Sequence, residues 1–354
     1  MHPQNWWWNR HRVVRFLWHF KPGYPDMKST IAVFLLIILS LAAKGQILRG
    51  TVLDADTREP IPLVSVFFDG TFVGTSTDDQ GKFKLIPGTY ITRPLSISAV
   101  GYVSHTLKDL QFVKPYTILL ARDLYEIGEV SIAGKDVAKK RKAYMRIFRN
   151  EFIGMSRYAR NCHIVNEEVI SFDYRNDRDT IRARAHLPLE IHNNALGYHF
   201  FYHLESFEFV KKTESVSYHG SIVFTHDFAW EGSKASLYKR RRRSVYRGSS
   251  KEFIRTLWKD GLKSSGYHIK DYHSGETLAC KDAVREDESG RKYMSFQGIL
   301  QVQYYNYYSK LDCLKKEAYI DQDGFFDPAA LIWSGKMASQ RIADFLPYEY
   351  SAGR

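Results

Sequence analysis

The sequence has no second apolar run approaching about 18 residues, no Cys-x-x-Cys pair, no Gly-x-Ser-x-Gly and no glycine-rich phosphate loop. The first absence argues against a helical membrane span in the body of the chain. The second removes zinc ribbons, and the third the nucleophile elbow of serine hydrolases. The fourth removes Walker-type and dinucleotide-binding sites. Cysteine is scarce: Cys162, Cys280 and Cys313 allow one disulfide and a leftover thiol, and buried free thiols are expected. No repeat with a period of about 20–50 residues occurs, which speaks against a solenoid or propeller.

What is present is globular: 354 residues, 44% hydrophobic and 25% charged, enough for two domains with their own cores. Near the start, Met27-Lys28 precedes an apolar stretch from Ile31 to Ala43, broken only by Ser40 and followed by Lys44-Gly45-Gln46. A basic start, a short apolar run and small residues at a junction describe a signal peptide, with cleavage expected before Gln46. At about 1.5 Å per residue the run is too short to span a hydrocarbon core of about 30 Å comfortably. Residues 1–26 contain Trp6-Trp7-Trp8 and four cations, and a start at Met27 rather than Met1 is the simplest account. Six basic and one acidic side chain lie in residues 1–45, so their removal lowers the formal charge from +12 to +7. That mild basicity in an exported chain suits lipopolysaccharide, anionic glycan or a membrane surface better than nucleic acid.

Residues 46–121 read as β structure throughout. Asp54-Ala55-Asp56-Thr57 is a turn cluster, and Pro60-Ile61-Pro62 sets an extended entry. Val64, Val66 and Phe68 alternate on one face before Asp69-Gly70, a hairpin signal, and Leu95, Ile97 and Ala99 alternate again. About seven short strands with turns every 8–12 residues indicate a sandwich. The spaced series Gly50-Thr51-Val52, Pro60-Ile61-Pro62, Val64-Ser65-Val66, Gly74-Thr75-Ser76-Thr77-Asp78, Gly81-Lys82-Phe83 and Gly101-Tyr102 resembles the carboxypeptidase regulatory-like (prealbumin-like) domain. That resemblance implies an exported bacterial protein whose first unit is a seven-stranded prealbumin/transthyretin-like sandwich without an active site.

Residues 122–134, with Leu124 to Ile132, resemble the linker strand that follows this sandwich in related proteins. The 220 residues after Gly134 are too few for a plugged barrel of about 22 strands. Residues 135–354 read instead as an α+β region, mostly antiparallel sheet with two helices. The first helix covers 135–153, where Tyr144, Phe148 and Phe152 share a face and Gly154 is a stop. The second starts at Ser249, which forms a capping box with Glu252. Strands are expected at 169–174, 180–185, 187–191, 198–209, 215–224 and 293–305, all rich in aromatic and β-branched residues.

Candidate chemistry is thin. His273-Ser274-Gly275-Glu276 has the spacing of a zinc pair, but no histidine follows it and it sits in a turn. His199 and His203 lie on a strand, about 13 Å apart and too far for one metal, with His186 and His192 nearby. Asp78-Asp79-Gln80-Gly81 and Asp321-Gln322-Asp323-Gly324 lack the full calcium-loop series and read as hairpin turns. The strongest charge feature is Lys239, Arg240, Arg241, Arg242 and Arg243 with Arg247 behind, flanked by Tyr238 and Tyr246. It reads as a loop ahead of the second helix and as the candidate anion-binding site. The expectation is a non-catalytic envelope protein, periplasmic or outer-membrane associated, with no cofactor, metal, nucleic acid or transmembrane helix after cleavage. Its partner would be another envelope protein or an anionic lipid or glycan. The alternatives are a hydrolase within 135–354, or anion binding through residues 239–247.

Overall fold

The computed structural model describes residues 46–123, 135–174, 178–228 and 232–352. The expected signal peptide and most of the linker strand, residues 124–134, lie outside them. Gln46–Arg354 forms one compact unit. Among the described residues no helix is long and apolar enough to cross a membrane.

The sandwich is built from β1 (Leu48–Asp54), β2 (Ser65–Phe68), β3 (Gly74–Ser76), β4 (Lys82–Leu85), β5 (Leu95–Ser98), β6 (His105–Leu107) and β7 (Tyr116–Leu120). One sheet has the order β4-β1-β7, with β1 and β7 parallel, and the other the order β3-β2-β5-β6. Period-two alternation delivers Val52, Val64, Val66, Phe68, Leu95 and Ile97 to the space between the sheets, where all are fully buried. The predicted turn at Asp54 is made by its own side chain. Its carboxylate accepts from the Asp56 and Thr57 amides at 2.9 and 3.0 Å, from Tyr102 Oη at 2.9 Å and from Arg122 Nε at 2.8 Å. The Gly101-Tyr102 motif thus ties the β5–β6 loop to the first strand.

The α+β region holds two cores rather than one. The first is a six-stranded sheet of β8 (Cys162–Ile164), β9 (Ile170–Asp173), β10 (Thr180–Ala185), β11 (Leu189–Asn193), β12 (Tyr198–Val210) and β13 (Ser215–Asp227). The long β12 pairs with β11 and then β10 along one edge, and with β13 along the other. Helix α1 (Lys135–Phe148) runs into a π-helical turn, Arg149–Ile153, ending at Gly154 with φ 99°. The predicted stripe is the packing face: Phe148 stacks on Phe152 at 4.9 Å and meets Phe207 edge-on at 4.7 Å.

Two helices follow, α2 (Ala235–Tyr246) and α3 (Ser250–Trp258). Ser249 caps α3 by accepting from the Glu252 amide at 3.0 Å, while Glu252 Oε2 reaches the Gly248 amide at 2.7 Å, one residue before the expected partner. Helix α3 packs Phe253, Ile254 and Leu257 into the second core. That core is roofed by β14 (Tyr267–Asp271), β15 (Thr277–Leu278), β18 (Ile299–Tyr304), β19 (Tyr307–Cys313) and β21 (Leu331–Gly335) in one sheet. A second sheet joins β16 (Val284–Glu286), β17 (Lys292–Met294) and β20 (Ala318–Ile320). The single strand expected at 293–305 is therefore two strands in two sheets, separated at residues 295–298.

The sandwich is joined to both cores. Its Asp69-Gly70-Thr71 turn lies along the edge of β13: Gly70 donates to Ile222 O at 2.8 Å, and Phe224 donates to Thr71 O at 2.9 Å. An otherwise open edge strand is thereby covered. The C-terminal segment closes the seam, with the Tyr348 amide donating to Gly70 O at 2.8 Å and the Phe72 amide to Glu349 Oε1 at 2.8 Å. From the second core, Arg255 donates to Tyr348 O and Tyr350 O.

Candidate functional site

The basic run is helical, not a loop, because nothing in 235–246 breaks a helix and Tyr238, Arg242, Val245 and Tyr246 recur at helical spacing on the buried face. This corrects the loop reading and takes Arg242 out of the expected anion site. Arg242 is 3% exposed and donates to Leu196 O at 2.6 Å, to Gly197 O at 2.9 Å and to both carboxylate oxygens of Asp227. Its guanidinium lies 3.6 Å from the centre of the Tyr198 ring. Arg241 is half-buried and donates to Ala195 O, and Arg243 donates to Ala352 O. Tyr238 and Tyr246 are buried, so their faces are packing surfaces and not stacking platforms. Lys239, Arg240, Arg243 and Arg247 point outward as an exposed basic face.

The zinc-like pair sits in an exposed turn between β14 and β15. There Asp271 Oδ1 accepts from the His273 and Ser274 amides at 3.0 and 2.6 Å, which makes the segment an Asx turn. In the loop at 321–324, Asp321 Oδ1 accepts from the Asp323 and Phe325 amides, and its other oxygen accepts from Arg93. Its carboxylate is thus already neutralised by a buried cation. The three cysteines are free thiols. Burial pushes Cys162 up to about 12 and Cys280 up to about 11, so neither is poised as a thiolate.

A cleft of about 820 Å³ opens between the sandwich and the outward face of the six-stranded sheet. Its floor carries the outward side chains of β9, β10 and β12, among them Ser171, Asp173, Arg182, Arg184, Ser206 and Glu208. Arg182 Nε donates to Glu208 Oε1 at 2.7 Å across the strand pair. The facing wall is the Ser98–Ser104 segment with Leu63, where Leu63, Val100 and Val103 are exposed apolar residues and Ser98 and Ser104 hydroxyls lie 3.2 Å apart. At the base His203 stacks on Phe67 of the sandwich, ring centres 5.2 Å apart, and burial lowers its imidazole to about 4. A neutral, packed histidine is a spacer between layers. A cleft with an apolar lip and a polar floor suits holding a ligand by contact and hydrogen bonds.

His199 and His203 are separated as expected from the strand reading. His203 faces the sandwich, whereas His199 lies near the other end of the sheet beside His192 and His226, a grouping that linear spacing concealed.

Seven strands in two packed sheets, with turn residues at the expected places, define a β-sandwich of prealbumin type. Residues 48–132 match the family model of the CarboxypepD_reg-like domain, so the chain carries that domain from β1 into the segment after β7. No curated protein matches the chain.

Proposed function

We propose that this is a non-catalytic, exported protein of the bacterial cell envelope, in which the sandwich is a fixed interaction module and one wall of a ligand-binding cleft. The observation that carries the reading is the welded seam: Gly70 and Thr71 hydrogen-bond along β13, while Arg93 of the sandwich is buried against Asp321 and Asp323. A mobile spacer would not commit a buried cation and an edge strand to its neighbour. Export is supported by the signal-like residues 27–45 and by the company this domain family keeps. The cleft partner is another envelope protein or an anionic glycan, received by the apolar lip and by the hydrogen-bonding side chains of the floor. Cell fractionation with N-terminal sequencing is expected to find the chain outside the cytoplasm beginning at Gln46. A full-length cytosolic chain would overturn the export half. Assays of the purified protein against peptides and esters are expected to show no turnover, and turnover lost on His273→Ala would overturn the other half.

A second reading rests on the outward face of α2. Lys239, Arg243 and Arg247 follow one another at intervals of four, so their charges project together toward an anionic lipid or glycan surface. Binding to lipopolysaccharide that is unchanged after Lys239, Arg240, Arg243 and Arg247 are replaced by Ser would remove this reading.

A further inference from the structure

Strand register in the six-stranded sheet sets four histidines opposite one another. His163 on β8 pairs with His192 on β11, His192 with His199 on β12, and His199 with His226 on β13. They form one row running across the strands, and all four are exposed or half-buried on the face opposite the core. The neighbours on the core side, Cys162, Ile164, Ile191, Asn193, Tyr198 and Phe224, are buried. Directly opposed side chains on antiparallel strands have Cβ atoms about 5 Å apart. The His192 and His199 rings stack at 3.6 Å with 9° between planes, and the His199 and His226 rings meet at 6.0 Å edge to face.

We propose that this row binds one divalent transition-metal ion, of the zinc, nickel or copper type, through His199 with its cross-strand neighbours His192 and His226. Imidazole nitrogen is the donor these ions select, at about 2.0–2.1 Å from zinc. Each flanking ring has one nitrogen engaged, and the other is the donor available to an ion. Glu190 Oε1 lies 2.8 Å from His192 Nε2, which leaves Nδ1 to face the ion. Thr225 Oγ1 lies 3.3 Å from His226 Nδ1, which leaves Nε2. A carboxylate on the far nitrogen of a ligating histidine is the usual orienting partner of a metal-bound imidazole. Phe228 closes one side, its ring 4.8 Å from that of His199.

Among the described residues no three donor groups already converge on one point. The stacked rings must turn about their Cα–Cβ bonds to aim their lone pairs at a common centre. His226 is exposed, whereas His192 and His199 are half-buried and stacked on one another, so these two rings turn together and the flexible Glu190 side chain follows His192. Strand spacing of about 4.8 Å puts His192 and His226 about 10 Å apart with His199 between them, so an ion above His199 is within reach of both flanking side chains. His163 stands one strand further out and is a peripheral member of the row.

The test is titration of the chain with Zn²⁺ alone, read by competition with a chromophoric chelator, beside electron paramagnetic resonance of the Cu²⁺-loaded protein. One ion per chain is expected, with nitrogen hyperfine structure in the copper spectrum. His199→Gln is expected to weaken binding at least tenfold, and His192→Gln and His226→Gln to weaken it less. His268→Gln, an exposed histidine on β14, is expected to leave it unchanged. Each substitution is at the surface, and an unchanged melting temperature without metal verifies that the fold survives. No saturable binding, a copper spectrum with oxygen donors only, or His199→Gln binding like the wild type would each overturn the proposal.

Discussion

Arg93 of the sandwich donates from Nε to Asp321, 228 residues further along the chain, at 2.5 Å. Its guanidinium lies 4.4 Å from the ring centres of both Tyr90 and Tyr348, and Nη2 reaches Asp323 at 3.1 Å. The first domain, the second core and the C-terminal segment therefore share one buried cation. Tyr319 Oη, donating to Thr92 at 2.9 Å, adds a second link beside it.

Replacing Arg93 by Met leaves the Asp321 carboxylate buried without its counter-charge, and a broken buried pair costs about 3–5 kcal/mol. Urea denaturation is expected to show that loss. The double variant Arg93→Met, Asp321→Leu is expected to lose less than the sum of the two single changes, since neither charge is then stranded. Additive losses would show that the pair is not coupled.

Gly70 is the residue on which the seam turns. It has φ 72°, and a Cβ there would sit 2.5 Å from Tyr348 Cε2. Gly70→Ala combines a left-handed backbone with a ring that has to move, at about 1–3 kcal/mol. Hydrogen exchange is expected to rise at Ile222, Phe224 and Tyr348 before the interior strands of the sandwich are affected.

Asp69 is half-buried in the same turn, and burial raises its carboxyl to about 6. A carboxyl raised above its unfolded value of about 3.9 favours the protonated folded state. Its contribution to stability is present in full below about pH 4 and is lost as pH rises through about 6. Asp69→Asn keeps an oxygen for the Ile222 amide, which donates to Oδ1 at 2.6 Å, and removes the titration. The variant is expected to gain stability relative to wild type between pH 4 and pH 7 in urea melts. Parallel profiles would refute the assignment.

His203 works in the opposite sense. With its ring lowered to about 4 by burial, it contributes stability above its unfolded value of about 6.5 that is lost as pH falls through about 4. His203→Phe retains the stack on Phe67 and is expected to flatten the acid limb of the stability curve. A limb as steep as that of the wild type would place the acid sensitivity elsewhere.

Arg242→Ala separates structural from exposed cations on α2. It removes two hydrogen bonds from the Asp227 carboxylate and one each from the buried carbonyls of Leu196 and Gly197, and is expected to cost about 2–3 kcal/mol. Arg240→Ala, on the exposed face, is expected to stay within about 0.5 kcal/mol. Thermal melts of the two variants make the comparison.

The sandwich was legible because its pattern is local. Alternation at Val64, Val66 and Phe68, the Asx turn at Asp54 and the hairpin at Asp69-Gly70 each occupy a few adjacent residues. The stripe Tyr144, Phe148, Phe152 and the cap at Ser249 were readable for the same reason. Helix α2 was not, because the inward position at its centre is an arginine, and a buried Arg242 hides the apolar period. Strands β14, β19 and β21 carry too many polar side chains for alternation to stand out. The cleft was not legible because its floor and wall come from segments far apart in the sequence.

Alternation, turn chemistry and helix capping are short-range forces, and the sequence by itself determined the sandwich, two of the helices and most strands of the first α+β sheet. Tertiary structure alone decided the rest. Strand register aligned His163, His192, His199 and His226, because a slip of one residue would have turned each to the other face. Desolvation decided that Arg242 and Arg93 are internal cations, since a guanidinium leaves water only where carboxylates and carbonyls from distant segments meet it.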